Sequence, residues 1–523
     1  MSFFSSLKQE NGFTLVELIA VIVILAIVLI IAIPGVISII NKSKEDAYQS
    51  QLAIIKQGVK NYLIGERQKV TWYGEKIKTT VVSLKILQET GYLDTKIMDP
   101  RTKKPMEHLA VRISSPPTGS RNYEVVYTDA SDAIYPTYHE NMIPIAYDGS
   151  TWVKADPTNQ DQSWFDYSNQ QWANIATVTE STRNTYKSAS VGTEIKETDI
   201  DTMFTWIPRF RYKLWNVDGS ESIENNPNLA GDHMIDVRFE SVNEDKAMGT
   251  QNGQWLTHPA FTLGDQELNG IWVGKYISSS KEGNECANTY DPCEKDNVIK
   301  TVQIKKDNAL WHHINAANMY RNARNMATEN NPYGLTIANE PHHMKNIEWG
   351  ALVYLSYSTY GKSGNPNYTG TEREVGGYQY TTGNETGIMT SLYEVTATVM
   401  YNETKTGLTK SEQGRTTEEI EAILNGNKYI DIYDYNIDVT DRSHGMLGDA
   451  TIETGPFSSV VEANGHVEVN NAWYSDDATF IISSSPSFIR GRHCYNGGSY
   501  GITAFCALGG YPHSNVSFRV VII

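Results

Sequence analysis

Glu17 is the first residue in this sequence placed to do chemistry. Its carboxylate stands directly before an unbroken apolar run, Leu18 to Ile33. A carboxylate at the end of an apolar helix costs energy unless a cation neutralises it, which marks it as functional. Cys286 and Cys293 bracket a turn-rich loop, and Cys494 and Cys506 stand with eleven residues between them. In an exported chain an even cysteine count points to bridges. Of the three pairings four cysteines allow, Cys286–Cys293 is the favoured one. Cys494 and Cys506 stay open between a bridge and two separate thiols. Asp431, Asp434, Asp438 and Asp441 read first as a solvated acidic face, with calcium, which takes such hard oxygen ligands, as the alternative. Adjacent residues point apart on a helix or a strand, so His312-His313 and His342-His343 read as surface or satisfied core histidines.

The last candidate surface is the loop from His493 to His513. It combines His493, Tyr495, Asn496, Tyr500, Leu508, Tyr511 and His513 with several glycines. Tyr and Asn supply rigid stacking and adaptable hydrogen bonds at low entropic cost. Glycine lets the backbone approach a ligand closely.

Composition narrows the function classes. The 523 residues carry a net charge of −17, and the acidity lies beyond Asp132, since residues 13–132 hold more basic than acidic side chains. Such a balance disfavours nucleic acid as a partner, because Lys and Arg must replace the phosphate counterions. Hydrophobic residues at 40% and aromatics at 11% are enough for packed cores. No GxxxxGK[ST] or HExxH occurs, and Gly497-Gly498-Ser499-Tyr500-Gly501 reads as a loop rather than a nucleotide site.

The elements that must position these residues follow from periodicity. From Phe13 to Ile40 only Thr14, Glu17 and Ser38 are polar. A helix of that length reaches about 42 Å, ample for a hydrocarbon core of about 30 Å. Pro34-Gly35 predicts a kink. Tyr48, Leu52, Ile55, Val59 and Tyr62 then recur at steps of 4, 3, 4 and 3, one stripe on a helix ending near Gly65. Residues 66–135 read as a small α+β domain, with strands expected at Leu109–Ile113 and Tyr123–Tyr127. Residues 140–180, rich in Trp and Tyr, read as a small β-rich module or an aromatic linker, and Ser181–Thr193 as a boundary or surface loop. Residues 195–523 form the large domain. Buried strands are expected at Met203–Phe210 and Gly270–Tyr276, and helices within Trp311–Met326 and Met344–Leu355. The fold class is α+β.

The run Gly12-Phe13-Thr14-Leu15-Val16-Glu17 before the apolar stretch resembles the N-terminus of type IV pilins and pseudopilins. The resemblance implies a leader, residues 1–12, that a prepilin peptidase removes between Gly12 and Phe13 before methylating the new amine. It implies a membrane span over 13–40 within a helix over 13–65, on which a small sheet is laid. It implies a single-pass cytoplasmic-membrane precursor, later part of an extracellular pilus or cell surface, with other pilin subunits as partners through this helix. The "GYLD…DP" run, Gly91 to Pro100, is similar to pseudopilin-like subunits of competence and secretion systems.

The large domain resembles a formylglycine-generating-enzyme type of C-type-lectin fold over about residues 200–523. The markers are the Trp272 strand, Trp349-Gly350-Ala351, Arg490-Gly491 before a Gly-rich loop, and Phe518-Arg519-Val520. The same fold carries variable domains diversified by retroelements, whose variable positions cluster just before such an "FRV" segment. Catalytic members hold copper with a close cysteine pair, and the Cys494/Cys506 spacing departs from it. One further family segment is degraded here to Gly387-Ile388-Met389 with Tyr393-Glu394. The resemblance therefore implies a ligand-binding head rather than an enzyme, with no cofactor expected except calcium at the aspartates.

Three functions follow, in order. The first is a minor subunit, at the tip of a fibre, whose head binds an unknown surface ligand. The second is a pseudopilin of a DNA-uptake or secretion machine, for which only the short Arg101–Lys104 cluster offers a DNA contact. The third is a copper-dependent oxidase. Glu17→Ala should leave membrane insertion intact, because it removes only a charge, yet lower incorporation into fibres at least tenfold. Immunoblotting of sheared surface fractions against membranes checks this, and normal incorporation would contradict the pairing of Glu17 with an N-terminal amine.

Overall fold

The computed structural model describes residues 42–44, 46–67, 70, 78–94, 97–98, 100, 106, 109–115, 120–127, 135–159, 162–167, 171–219, 235, 237–286, 289, 293–358, 360, 378–379, 389–390, 393–401, 413–454, 460–461, 467–468, 472, 478–491 and 502–523. The chain forms two compact units, residues 1–129 and 130–523, and the class is α+β. Among the described residues no helix is long and apolar enough to cross a membrane. The span expected at 13–40 lies outside them.

In the first unit, helix α1 covers residues 46–65. Its stripe of Tyr48, Ile55, Val59 and Tyr62 is buried, with Leu52 partly so, against Val82, Val111 and Ile113 of a three-stranded sheet. That antiparallel sheet runs β1 (Lys78–Ser83), β2 (Leu109–Ser115), β3 (Asn122–Tyr127) in order, with helix α2 (Leu84–Glu89) leaving β1 directly. Two glycines of α1 accept the Tyr92-Leu93 turn. A β-carbon on Gly58 would stand 2.8 Å from the Leu93 side chain, and one on Gly65 would stand 1.9 Å from the Tyr92 hydroxyl.

The second unit starts at residue 130, and the aromatic stretch belongs to its main sheet rather than to a separate module or linker. Strands β4 (Ile143–Tyr147), β5 (Trp152–Lys154) and β6 (Asn174–Val178) precede helix α3 (Glu180–Ser188) and strand β7 (Ile200–Pro208). Next come β8 (Phe210–Lys213), β9 (Val237–Phe239) and β10 (Trp255–Thr257), a small sheet of their own, and then β11 (Gly270–Gly274). Trp164, Phe165 and Trp172 pack into one core with Trp206 and Trp272, and the Trp272 indole donates to the Thr137 carbonyl at 2.8 Å. Rings of that size need partner surfaces, and the sheet supplies them. The Ser/Thr-rich stretch expected as a loop is mostly α3, pinned by its one buried residue, Tyr186, whose hydroxyl donates to Asp199 at 2.6 Å.

The rest of the unit supplies helix α4 (Ala316–Asn325), β12 (His342–His343), α5 (Asn346–Ser356), β13 (Tyr393–Val395), β14 (Thr398–Tyr401), α6 (Thr417–Leu424) and β15 (Asp431–Asp434). It ends with β16 (Ser487–Arg490), β17 (Phe505–Leu508), β18 (Val516–Phe518) and β19 (Val520–Ile522). The main sheet is antiparallel throughout, in the order β12-β19-β11-β7-β6-β4-β5. A second sheet runs β17-β16-β13-β18, with β13 and β18 parallel. β14 and β15 pair in parallel separately.

Helix α4 begins later than Trp311 because His313 takes a left-handed backbone, φ 56°, which no helix tolerates. Asn315 caps it instead, its side chain accepting from the Asn318 N–H at 2.8 Å. Helix α5 is buried on every face. A β-carbon on Gly350 would stand 1.9 Å from the Gly448 carbonyl oxygen, so the Trp-Gly-Ala run is glycine where a loop crosses the helix.

Candidate functional site

The C-terminal loop leaves the second sheet at Arg490 and returns to it at Phe505. Arg490 is fully buried, with its Nε donating to the Asn346 side chain at 2.7 Å and its Nη2 to the Asp449 carbonyl at 2.5 Å. Its guanidinium also lies over the rings of Phe488 and Phe505. Where the chain comes back, the Trp349 indole donates to the Ile502 carbonyl at 3.0 Å. Both ends of the loop are thus held by α5.

His493, Tyr495, Asn496 and Tyr500 lie outside the described residues, as does Cys494. Leu508 closes β17 half-buried, Tyr511 is 44% exposed, and His513 is half-buried. Gly510, at φ 82°, is wedged between Gln413 and Ser487, and its carbonyl accepts from the Ala316 N–H at 2.9 Å. His513 offers its own carbonyl to the His313 N–H at 3.0 Å. Tyr511 therefore projects from a segment pinned on both sides. Edge-on contact with the His513 ring, 6.0 Å between centroids, orients it.

Cys286 and Cys293 are joined by a disulfide. The buried Asp296 carboxylate holds the base of that turn, accepting from the Cys286 N–H at 2.8 Å and from Lys300 at 2.5 Å. The four aspartates offered for calcium do not converge. Asp431 is buried, accepts from the Ile347 N–H at 2.8 Å, and stands 3.8 Å from the Lys345 ammonium. Asp438 accepts from Thr440, Asp441 accepts from Ser443, and Asp434 is exposed. Among the described residues no group of three or more His, Cys, Asp or Glu could hold a metal. His342 and His343 sit in β12, fully buried, with His342 Nε2 2.8 Å from Glu348 and His343 Nε2 2.6 Å from the Val395 carbonyl.

Next to Arg490 lies an acidic network that periodicity could not signal. Asp449 accepts from the Tyr433 hydroxyl, the Met446 and Thr451 N–H groups and the Thr451 hydroxyl. Glu453, on the same turn, accepts from the Tyr212 hydroxyl at 2.8 Å and the Gly448 N–H at 2.9 Å. Burial first, and the charge of Asp449 second, push the Glu453 carboxyl up to about 7. Burial likewise pushes Asp431 up to about 6, against the pull of Lys345. Glu348 runs the other way: burial opposes its ionisation, but the His342 and Lys345 charges outweigh that and hold it low.

Residues 7–33 match the family model described as the prokaryotic N-terminal methylation motif. The N-terminus is that of a type IV pilin-like subunit. The motif covers the expected cleavage junction Gly12-Phe13 together with Glu17, residues that lie outside the described structure. For this pilin-like chain it implies processing by a prepilin peptidase, assembly with other pilins, and a membrane-anchored precursor that reaches the surface. A search of curated proteins finds no match to the chain.

The raised Glu453 carboxyl makes stability depend on pH with a definite sign. The folded state keeps a proton that the unfolded chain releases. Its stabilisation is therefore full below the unfolded value near 4.5 and is lost as pH rises through about 7. Between about pH 5.5 and about pH 8 the full chain should lose on the order of 2 kcal/mol more than Glu453→Gln does. Denaturant midpoints in detergent at the two pH values check this, and identical pH slopes would refute it.

Proposed function

We propose that the chain is a minor pilin-like subunit that carries a C-type-lectin-like head as a ligand-binding, non-catalytic display domain. The observation that carries this reading is the union of an N-terminal methylation motif at residues 7–33 with a large second unit, residues 130–523. A shaft built by close packing of N-terminal helices has little room for such a head on every subunit, which favours a tip or sparse position.

Two further observations support a lectin-like head. The C-terminal strand β19 pairs inside the main sheet, between β11 and β12, closing the domain on itself. Arg519, between β18 and β19, meets Glu394 of the degraded Tyr-Glu segment. That pair supports a scaffold role for the segment in this reading.

The ligand surface in this reading is the loop 493–513, with Tyr495, Tyr500 and Tyr511 as stacking groups. Replacing these three by alanine should reduce binding to a panel of immobilised glycans and proteins at least tenfold. Far-UV circular dichroism should stay unchanged, because Arg490, Ile502 and Gly510 hold the loop from outside. Undiminished binding by a folded triple variant would place the ligand elsewhere.

A further inference from the structure

We propose that the contact between His313 and His513 is an acid-sensitive latch, which holds the segment 510–515 against the chain before α4 and opens in mild acid. As regulation of a binding surface it rests on the reading above; as a structural device it does not.

The geometry fixes the protonation of both rings. His313 is 1% exposed, and its Nε2 lies 3.1 Å from the Thr289 carbonyl, within the Cys286–Cys293 turn. A carbonyl only accepts, so Nε2 carries the proton and Nδ1 is left as a bare lone pair. That Nδ1 is buried without a hydrogen-bond partner. His513 Nδ1 accepts from the Asn515 N–H at 3.1 Å, so it too must be unprotonated. Adding a proton there sets two donors against each other.

The groups facing the pair strengthen the effect. Next to it in the chain, the His312 ring lies 4.9 Å from that of His313. From the C-terminal side come Tyr511 and His513 itself. At the base of the disulfide turn, Asp296 is already matched by Lys300 and two backbone N–H groups. Burial first, and the His313 charge second, hold the His513 imidazole below its ordinary value. The sign is therefore fixed. The closed latch is favoured while the His513 ring is neutral, and it loses ground to the open state, which takes up a proton there more readily, as pH falls below the ordinary histidine range near 6.5.

Opening would release the His313 N–H bond to the His513 carbonyl and the Thr289 contact, while the Ala316 bond to Gly510 remains as a hinge. Tyr511 lies between the hinge and the released end. His313 also holds a left-handed backbone, φ 56°, a conformation that is costly for a non-glycine residue and persists only while its surroundings impose it.

Hydrogen exchange of the full chain in detergent, read by mass spectrometry at about pH 7.5 and about pH 5.0 and corrected for intrinsic rates, tests the latch. Peptides over 311–318 and 509–518 should lose at least tenfold protection in acid, while peptides within α5 keep theirs. The double variant His313→Gln, His513→Asn keeps a donor at the Nε2 position and an acceptor at the Nδ1 position without titrating, so it should hold protection at both pH values. If that variant misfolds by circular dichroism, His513→Asn alone carries the comparison. Equal wild-type protection at both pH values, loss in α5 as well, or equal loss in the variant would each overturn the proposal. No ligand is added, so the result is independent of whether the tyrosines bind one.

Discussion

The second unit is organised around one buried ion pair, Arg519 with Glu394. Both side chains are almost wholly excluded from solvent, and two charge-assisted bonds of 2.7 and 2.5 Å join them. Arg519 stands at the single residue where the chain passes from β18, in the second sheet, to β19, in the main sheet. Its Nη1 also donates to the Gly274 carbonyl at the end of β11. A buried pair adds little net stability over an apolar equivalent, but removing one partner costs about 3–5 kcal/mol. What the pair does is specify register. It is satisfied only when β13, β11 and both halves of the C-terminal strand are aligned together.

The segment after Arg490 is bounded by α5 contacts at its base, and the segment around Tyr511 by backbone bonds to Ala316 and His313. A loop fixed at its ends on a rigid scaffold can change its side chains without unfolding what carries it. The N-terminal methylation motif supplies the other half of the logic, because it tethers such a scaffold to an assembly outside the cell.

Much of this was legible in the sequence because it rests on local pattern. The 3.6-residue stripe from Tyr48 to Tyr62 gave the buried face of α1, and the apolar runs around Phe204 and Trp272 gave β7 and β11. The aromatic stretch at 140–180 misled because the spacing of Trp164, Phe165 and Trp172 says that they are buried but not against what. Their partners, β7 and β11, lie tens of residues away and pair through backbone atoms that every residue has. Helix α3 was hidden by Ser and Thr, whose weak helix propensity is overridden by the Tyr186 contact. The aspartates at 431–441 looked like a cluster in one dimension. In three, strand β15 sends Asp431 inward to Lys345 while Asp438 and Asp441 cap their own turns.

The central claim is that one polypeptide is at once a processed pilin-like subunit and the carrier of the folded head. Mass spectrometry of the chain recovered from purified surface fibres tests it most directly. The account requires an N-terminal peptide that begins at Phe13 with a methylated amine, together with peptides from the head, such as those within 502–523, on the same intact chain. Retention of Met1 in assembled fibres, or fibres that hold the N-terminal helix but not the head, would contradict it.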